Sequence, residues 1–112
     1  MFEKIDTKEK AYMFGFFMGD GHITKDHNRL ELVVALSDKV VPTFFCEQFE
    51  TSKYFERLKF DKKARTFPKA GFLLHSKVEC KNLIQLFGGR LCVERRVPIL
   101  KTDLEPYFIL GF

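Results

Sequence analysis

The stretch from Ala11 to Ile23, AYMFGFFMGDGHI, constrains this chain more than any other. Every residue from Ala11 to Met18 is apolar or glycine, and a carboxylate, Asp20, follows between Gly19 and Gly21. A helix that is apolar on every side is a buried helix. A charge at its end needs a reason, because unpaired buried charge is costly. Gly15 and Gly19 stand four apart and share one helix face, where small residues let another backbone come close. The expectation is a tightly packed helix pair that delivers Asp20 to a shared floor. The competing reading is a buried helix ending on a glycine cap, with Asp20 as a turn residue.

The 112 residues and 46% hydrophobic content fit one domain with a modest core. Fourteen Phe and no Trp predict that Phe fills it. Charge is unevenly spread. Residues 1–52 carry six basic and nine acidic side chains, net −3, and residues 53–112 carry thirteen and six, net +7. From Lys53 to Lys69 there are seven basic residues against two acidic ones. That balance suits a polyanionic partner for the second half. Cys46, Cys80 and Cys92 are odd in number and lack metal-ligand spacing, which reads as free thiols in a reducing compartment. The charged start MFEKIDTKEK has no signal-peptide apolar region. No apolar run approaches the roughly 18 residues of a membrane span. A cytoplasmic protein, or one of the nucleoid, is expected.

Asp6 and Glu9 form an acidic variant of the capping box, so the first helix is predicted from about Thr7 to Gly19. A short strand from His22 to Lys25 leads through the turn Asp26-His27-Asn28 into Arg29 to Leu36. There Leu30, Leu32, Val34 and Leu36 alternate toward a core, and Arg29, Glu31, Val33 and Ala35 face away. Ser37 or Asp38 caps a second helix, with Pro42 tolerable in its first turns and Val41, Phe44, Phe45, Gln48 and Phe49 on one face, Gln48 being the polar exception. A second hairpin runs from Tyr54 to Phe60 and back from about Ala70 to His75, with a basic turn between. His75 reads as a strand-end packing residue. Ser76 to Glu79 is a capping box, and Cys80, Leu83, Ile84 and Phe87 mark an amphipathic helix that stops at Gly88-Gly89. The segment RLCVERRVPILKTD is basic and loop-like.

The tail LEPYFILGF echoes the opening: Ile109-Leu110-Gly111-Phe112 aligns with Met13-Phe14-Gly15-Phe16. Residues 1–103 thus read as one unit with the helix and hairpin order αββαββα, and 104–112 as the start of a second copy of the first helix.

The Gly15, Gly19, Asp20, Gly21 pattern resembles the signature helix of the LAGLIDADG homing endonucleases, with Met18 in place of the motif's first aspartate. The resemblance covers the whole chain in pattern, and the opening motif and tail at residue level. It implies an α+β half-domain, αββαββα, with a four-stranded antiparallel saddle-shaped sheet. One face of that sheet carries the helices and the other lies along the major groove of double-stranded DNA. The implied activity is site-specific, metal-dependent phosphodiester hydrolysis of the kind that mobilises introns and inteins, with Mg²⁺ or another divalent cation as cofactor. Hard cations of this sort take carboxylate oxygens.

By the same resemblance Asp20 ligates metal and is catalytic, the Gly19 carbonyl is a second ligand, and Arg95 or Arg96 stands near the scissile phosphate. Asp38 joins the water network beside the metal. His22, Thr24, Arg29 and Glu31 on the first hairpin, Arg57 and Lys59 on the second, and Lys62, Lys63, Arg65 and Lys69 at its turn are the expected DNA contacts. For each basic residue alone, a solvated surface charge is the competing reading. Gly15 and Gly19 form the helix interface. The second motif's acidic residue lies outside the sequence, which leaves three expectations open. The chain is a half that joins a complementary C-terminal half, a homodimer through Gly15 and Gly19, or a remnant that only binds DNA, as a regulator or maturase would.

Overall fold

The computed structural model describes residues 1–58, 63, 67–91, 94–96 and 100–112. Helix α1 runs Lys8–Asp20 and passes directly into strand β1, Gly21–Ile23. Strand β2, Arg29–Ala35, follows, then a single 3-10 turn, Leu36–Asp38, and helix α2, Val40–Gln48. Strands β3, Lys53–Arg57, and β4, Lys69–His75, precede helices α3, Lys77–Phe87, and α4, Glu105–Gly111. The strands form one antiparallel sheet in the order β1-β2-β4-β3. The α+β class and four-stranded antiparallel sheet expected from the sequence are present.

Register decides which residues face the helices. Leu30 pairs with Leu74, Leu32 with Phe72, and Val34 with Ala70. Except for the half-buried Val34, all of these are buried. Phe2, Phe14, Phe17, Phe45, Phe72 and Phe87 are almost fully enclosed, so the core is built from phenylalanine. Phe17 meets Phe45 edge-on at 5.0 Å and Phe2 at 5.6 Å, while Phe14 lies 4.8 Å from Phe87. Edge-to-face pairs exploit the opposite charges of ring edge and face. Helix α1 is central to this packing. Tyr12 and Phe16 rest on Phe44 and Phe45 of α2, Phe14 on Phe87 of α3 and Phe108 of α4, and Phe17 on Phe72 of β4.

Helix ends depart from the sequence reading in three places. Thr7, not Asp6, caps α1 by accepting from the Lys10 N–H at 3.2 Å, and Asp6 instead pairs with the Lys10 ammonium at 2.8 Å. Neither Ser37 nor Asp38 caps α2, because the chain takes a 3-10 turn there and α2 starts from Lys39 without a side-chain cap. Leu36 therefore leaves the strand. Ser76 caps α3 through the Glu79 N–H, but the reciprocal bond of a capping box is not made. The Ser76 N–H goes to the Asn28 carbonyl, and the buried Glu79 carboxylate accepts from the α-amino group of Met1 at 2.7 Å. Gly88 ends α3 at φ 87°, the left-handed conformation that glycine adopts without penalty.

Among the described residues no helix is long and apolar enough to cross a membrane.

Candidate functional site

The site begins with how α1 meets α4. Gly15 has no Cβ, and one placed there would stand against the Phe108 carbonyl oxygen and 2.8 Å from the Phe112 nitrogen. Gly111 is its counterpart: a Cβ there would meet the Tyr12 carbonyl and come within 3.3 Å of the Phe16 nitrogen. Two backbones thus touch where two glycines cross. The helix that the Gly15 face was expected to bind is α4 of the same chain, so no second copy is needed to cover Gly15. Leu104 and Phe108 join the core formed by α1, which makes residues 104–112 part of one packed body. Gly19, one turn on, is exposed, and a Cβ there would lie 3.8 Å from the Phe112 ring, an ordinary contact.

Asp20 ends α1 and is exposed. Among the described residues nothing hydrogen-bonds or ion-pairs with its carboxylate. It lines a groove of about 450 Å³ together with Phe16, Val33, Val34, Ala35, Asp38 and Val41. Asp38 reaches this groove because the 3-10 turn after β2 carries it to the mouth of the helix–sheet junction. Two carboxylates therefore border one cavity. Among the described residues no group of three or more His, Cys, Asp or Glu side chains could hold a metal ion.

Arg95 is held against the end of α1. Its Nη1 donates to the carbonyls of Phe17, at 2.8 Å, and Met18, at 2.9 Å, and its Nη2 to those of Gly21, at 2.7 Å, and Arg90, at 3.1 Å. The guanidinium also lies 4.8 Å over the Phe87 ring. The last carbonyls of a helix lack intrahelical partners, and the dipole makes that end negative. Arg95 answers both needs and holds the tip that carries Asp20, with three of its hydrogen bonds going to the carbonyls of Phe17, Met18 and Gly21. Arg96 is exposed and remains the candidate to approach a phosphate.

The outer face of the sheet follows from register. His22 pairs with Glu31, Arg29 with His75, and Arg57 with Lys69; Lys53 pairs with Leu73. All of these point away from the helices. Arg29 and Glu31 form an ion pair at 3.0 Å, which leaves the exposed Lys53, Arg57 and Lys69 as the positive side of the face, on β3 and β4. Thr24 is committed elsewhere. Its Oγ1 donates to the Asp26 carboxylate at 2.6 Å and accepts from the Asn28 and Arg29 N–H groups, so it builds the hairpin turn. The Thr24 hydrogen bond holds the Asp26 carboxyl below its ordinary range. Lys63 is exposed in the second hairpin's turn region, and Lys59, Lys62 and Arg65 lie outside the described residues.

Sequence reasoning missed three members of this face. His75 is exposed on it rather than packed, and Lys53 and Phe55 share it with Arg57. Period-two alternation counted back from Arg57 and forward from Lys69 would have found all three. No protein-family model matches this chain, and no curated protein matches it.

Proposed function

We propose that this chain is a DNA-cleaving half-domain of the LAGLIDADG type, acting on double-stranded DNA with a divalent cation. The observation that supports it best is the crossing of α1 and α4 at Gly15 and Gly111, with the Asp20 carboxylate, unengaged among the described residues, at the helix tip on the same groove as Asp38. The sheet below it turns Lys53, Arg57 and Lys69 outward. In this reading strand-borne cations neutralise DNA phosphates, and groove-facing side chains touch base edges. Asp20 holds the cation through hard oxygen, Asp38 orients a water across the groove, and Arg95 keeps the tip rigid. The bound cation supplies charge stabilisation at the phosphate and a water of lowered pKa. A second carboxylate from a complementary half, or from a continuation of α4, would complete a paired site, and the expected compartment is the cytoplasm or nucleoid.

A second reading is a non-cleaving DNA-binding protein on the same frame. It is favoured by the engagement of Arg95 in capping, which withdraws one of the two basic residues expected near the scissile phosphate.

The test is cleavage and binding of a random-site duplex library, with Mg²⁺ and with Mn²⁺, by the unaltered chain and by Asp20→Asn. Asn keeps the size of the side chain and removes its charge. Cleavage should fall by orders of magnitude while DNA binding is kept or tightens, since a carboxylate beside phosphate repels it. An active chain whose Asn variant cleaves equally well would rule out the proposed role of Asp20. Binding without cleavage in either metal selects the second reading.

A further inference from the structure

We propose that Arg57 reads a guanine edge, held for that task by Phe55 lying on a floor made by Gly71; the inference rests on the DNA-binding reading above. Phe55 faces outward from β3 and is paired in register with Gly71, which is paired in turn with Val33 of β2. A Cβ on Gly71 would stand 2.6 Å from Cε1 and 2.7 Å from Cε2 of the Phe55 ring. The ring therefore lies down across the β4 backbone, over the one position of that strand's outer face with no side chain. Gly71 is buried under it although it sits on the outer face. Arg57, two residues along on the same face, brings its guanidinium carbon to 5.0 Å from the ring centre. Among the described residues no carboxylate engages it.

This arrangement distinguishes Arg57 from its neighbours. Lys53 and Lys69 are exposed point charges on flexible stems, which suits phosphates, whose contacts fix position and carry no sequence information. A base edge demands more. The O6 and N7 atoms of guanine accept two parallel hydrogen bonds from a planar fork presented at one angle. A guanidinium laid on an aromatic face has surrendered part of its rotamer freedom before the ligand arrives, which lowers the cost of binding in a fixed orientation. Phe55 is thus a positioning residue, and Gly71 is what lets it lie flat.

The experiment selects a preferred duplex with the full chain, then measures binding to its single-base variants across a range of salt concentrations. Arg57→Lys should lose about 10-fold of discrimination at one G·C position while the log–log salt slope is unchanged, because the charge is kept and the fork is lost. Phe55→Leu should lose discrimination at the same position, and Phe55→Tyr, which keeps the ring, should restore it. Retention of the full preference by Arg57→Lys overturns the proposal. So does a loss by Arg57→Ala that is uniform over all sequences with a slope reduced by about one, the signature of a phosphate contact. Failure of the unaltered chain to bind any duplex would instead overturn the DNA-binding reading, and this inference with it.

Discussion

The seam between α1 and α4 and the outer face of the sheet both depend on glycine, to opposite ends. At the seam Gly15 and Gly111 remove side chains so that two backbones touch, and nothing else fits between them. On the sheet Gly71 removes a side chain so that another, Phe55, can occupy its place. The first use makes a closed surface whose geometry is set by main chain. The second makes an open surface whose geometry is set by a side chain resting on main chain. Substitution should therefore be felt as stability at the seam and as selectivity on the sheet.

The largest expected effect breaks the seam. Gly15→Ala places a Cβ against the α4 backbone, which cannot rotate away as a side chain could. We expect a loss at or beyond the roughly 3 kcal/mol upper range of ordinary overpacking, read by denaturant unfolding. Gly19→Ala, four residues on, meets the Phe112 ring at 3.8 Å and its carbonyl oxygen at 3.9 Å, both ordinary distances, and should be neutral or gain up to about 1 kcal/mol from helix propensity. Equal costs for the two would show that helix crossing is not what Gly15 serves.

Next in size is Arg95→Ala, which strips the carbonyls of Phe17, Met18 and Gly21 of a charged donor. We expect a loss of about 2 kcal/mol, with the salt dependence of the proposed DNA binding unchanged. A flatter salt slope with intact stability would return Arg95 to the phosphate-contacting set.

The smallest effect lies away from both regions and tests whether the core's remaining charge is separable from them. Burial alone would lower the pKa of the Met1 α-amino group, but its hydrogen bonds to Glu79 and Glu3 outweigh that and raise it above 8.0. A raised folded-state pKa contributes stability that is complete below 8.0 and is lost as pH rises through the folded value. Cys80, whose thiol burial pushes up to about 11, adds a further decline above 9.0. The informative quantity is the difference between the unaltered chain and Glu79→Gln across pH 7 to 10, by thermal unfolding. The variant should show the shallower decline, and parallel curves would remove the ion pair from the balance.

Local patterns in the chain carried much of this architecture. Cys80, Leu83 and Phe87, at three- and four-residue spacing, are the buried stripe of α3, and Leu30 and Leu32 are buried on β2 as alternation predicts. Gly15 and Gly111 were visible as a repeat of the same small residue in the same apolar setting. What stayed hidden depends on partners distant in sequence. Arg95 reads as one of several basic residues in a loop, and only the fold brings it beneath the end of α1. Glu79 satisfies the capping-box pattern, yet the α-amino group outcompetes a neutral N–H for its carboxylate. Thr24 was expected within a strand running from His22 to Lys25, but β1 ends at Ile23 and Thr24 falls in the turn. Phe55 and Gly71 acquire meaning only once β3 and β4 are paired in register.

The α1–α4 seam also has a consequence for how the molecule is made. The whole sheet and two helices separate its halves along the chain. At the usual 5–20 residues per second of synthesis, α4 follows the end of α1 by roughly 4–17 s. For that interval the nascent chain has strands and aromatic rings against which to collapse, but the glycine face of α1 has no partner. A contact of such long sequence separation forms slowly and late. Among the described elements, translation therefore leaves the Gly15 face as the last surface to be covered, and so the one longest open to a chaperone or to a second chain emerging alongside.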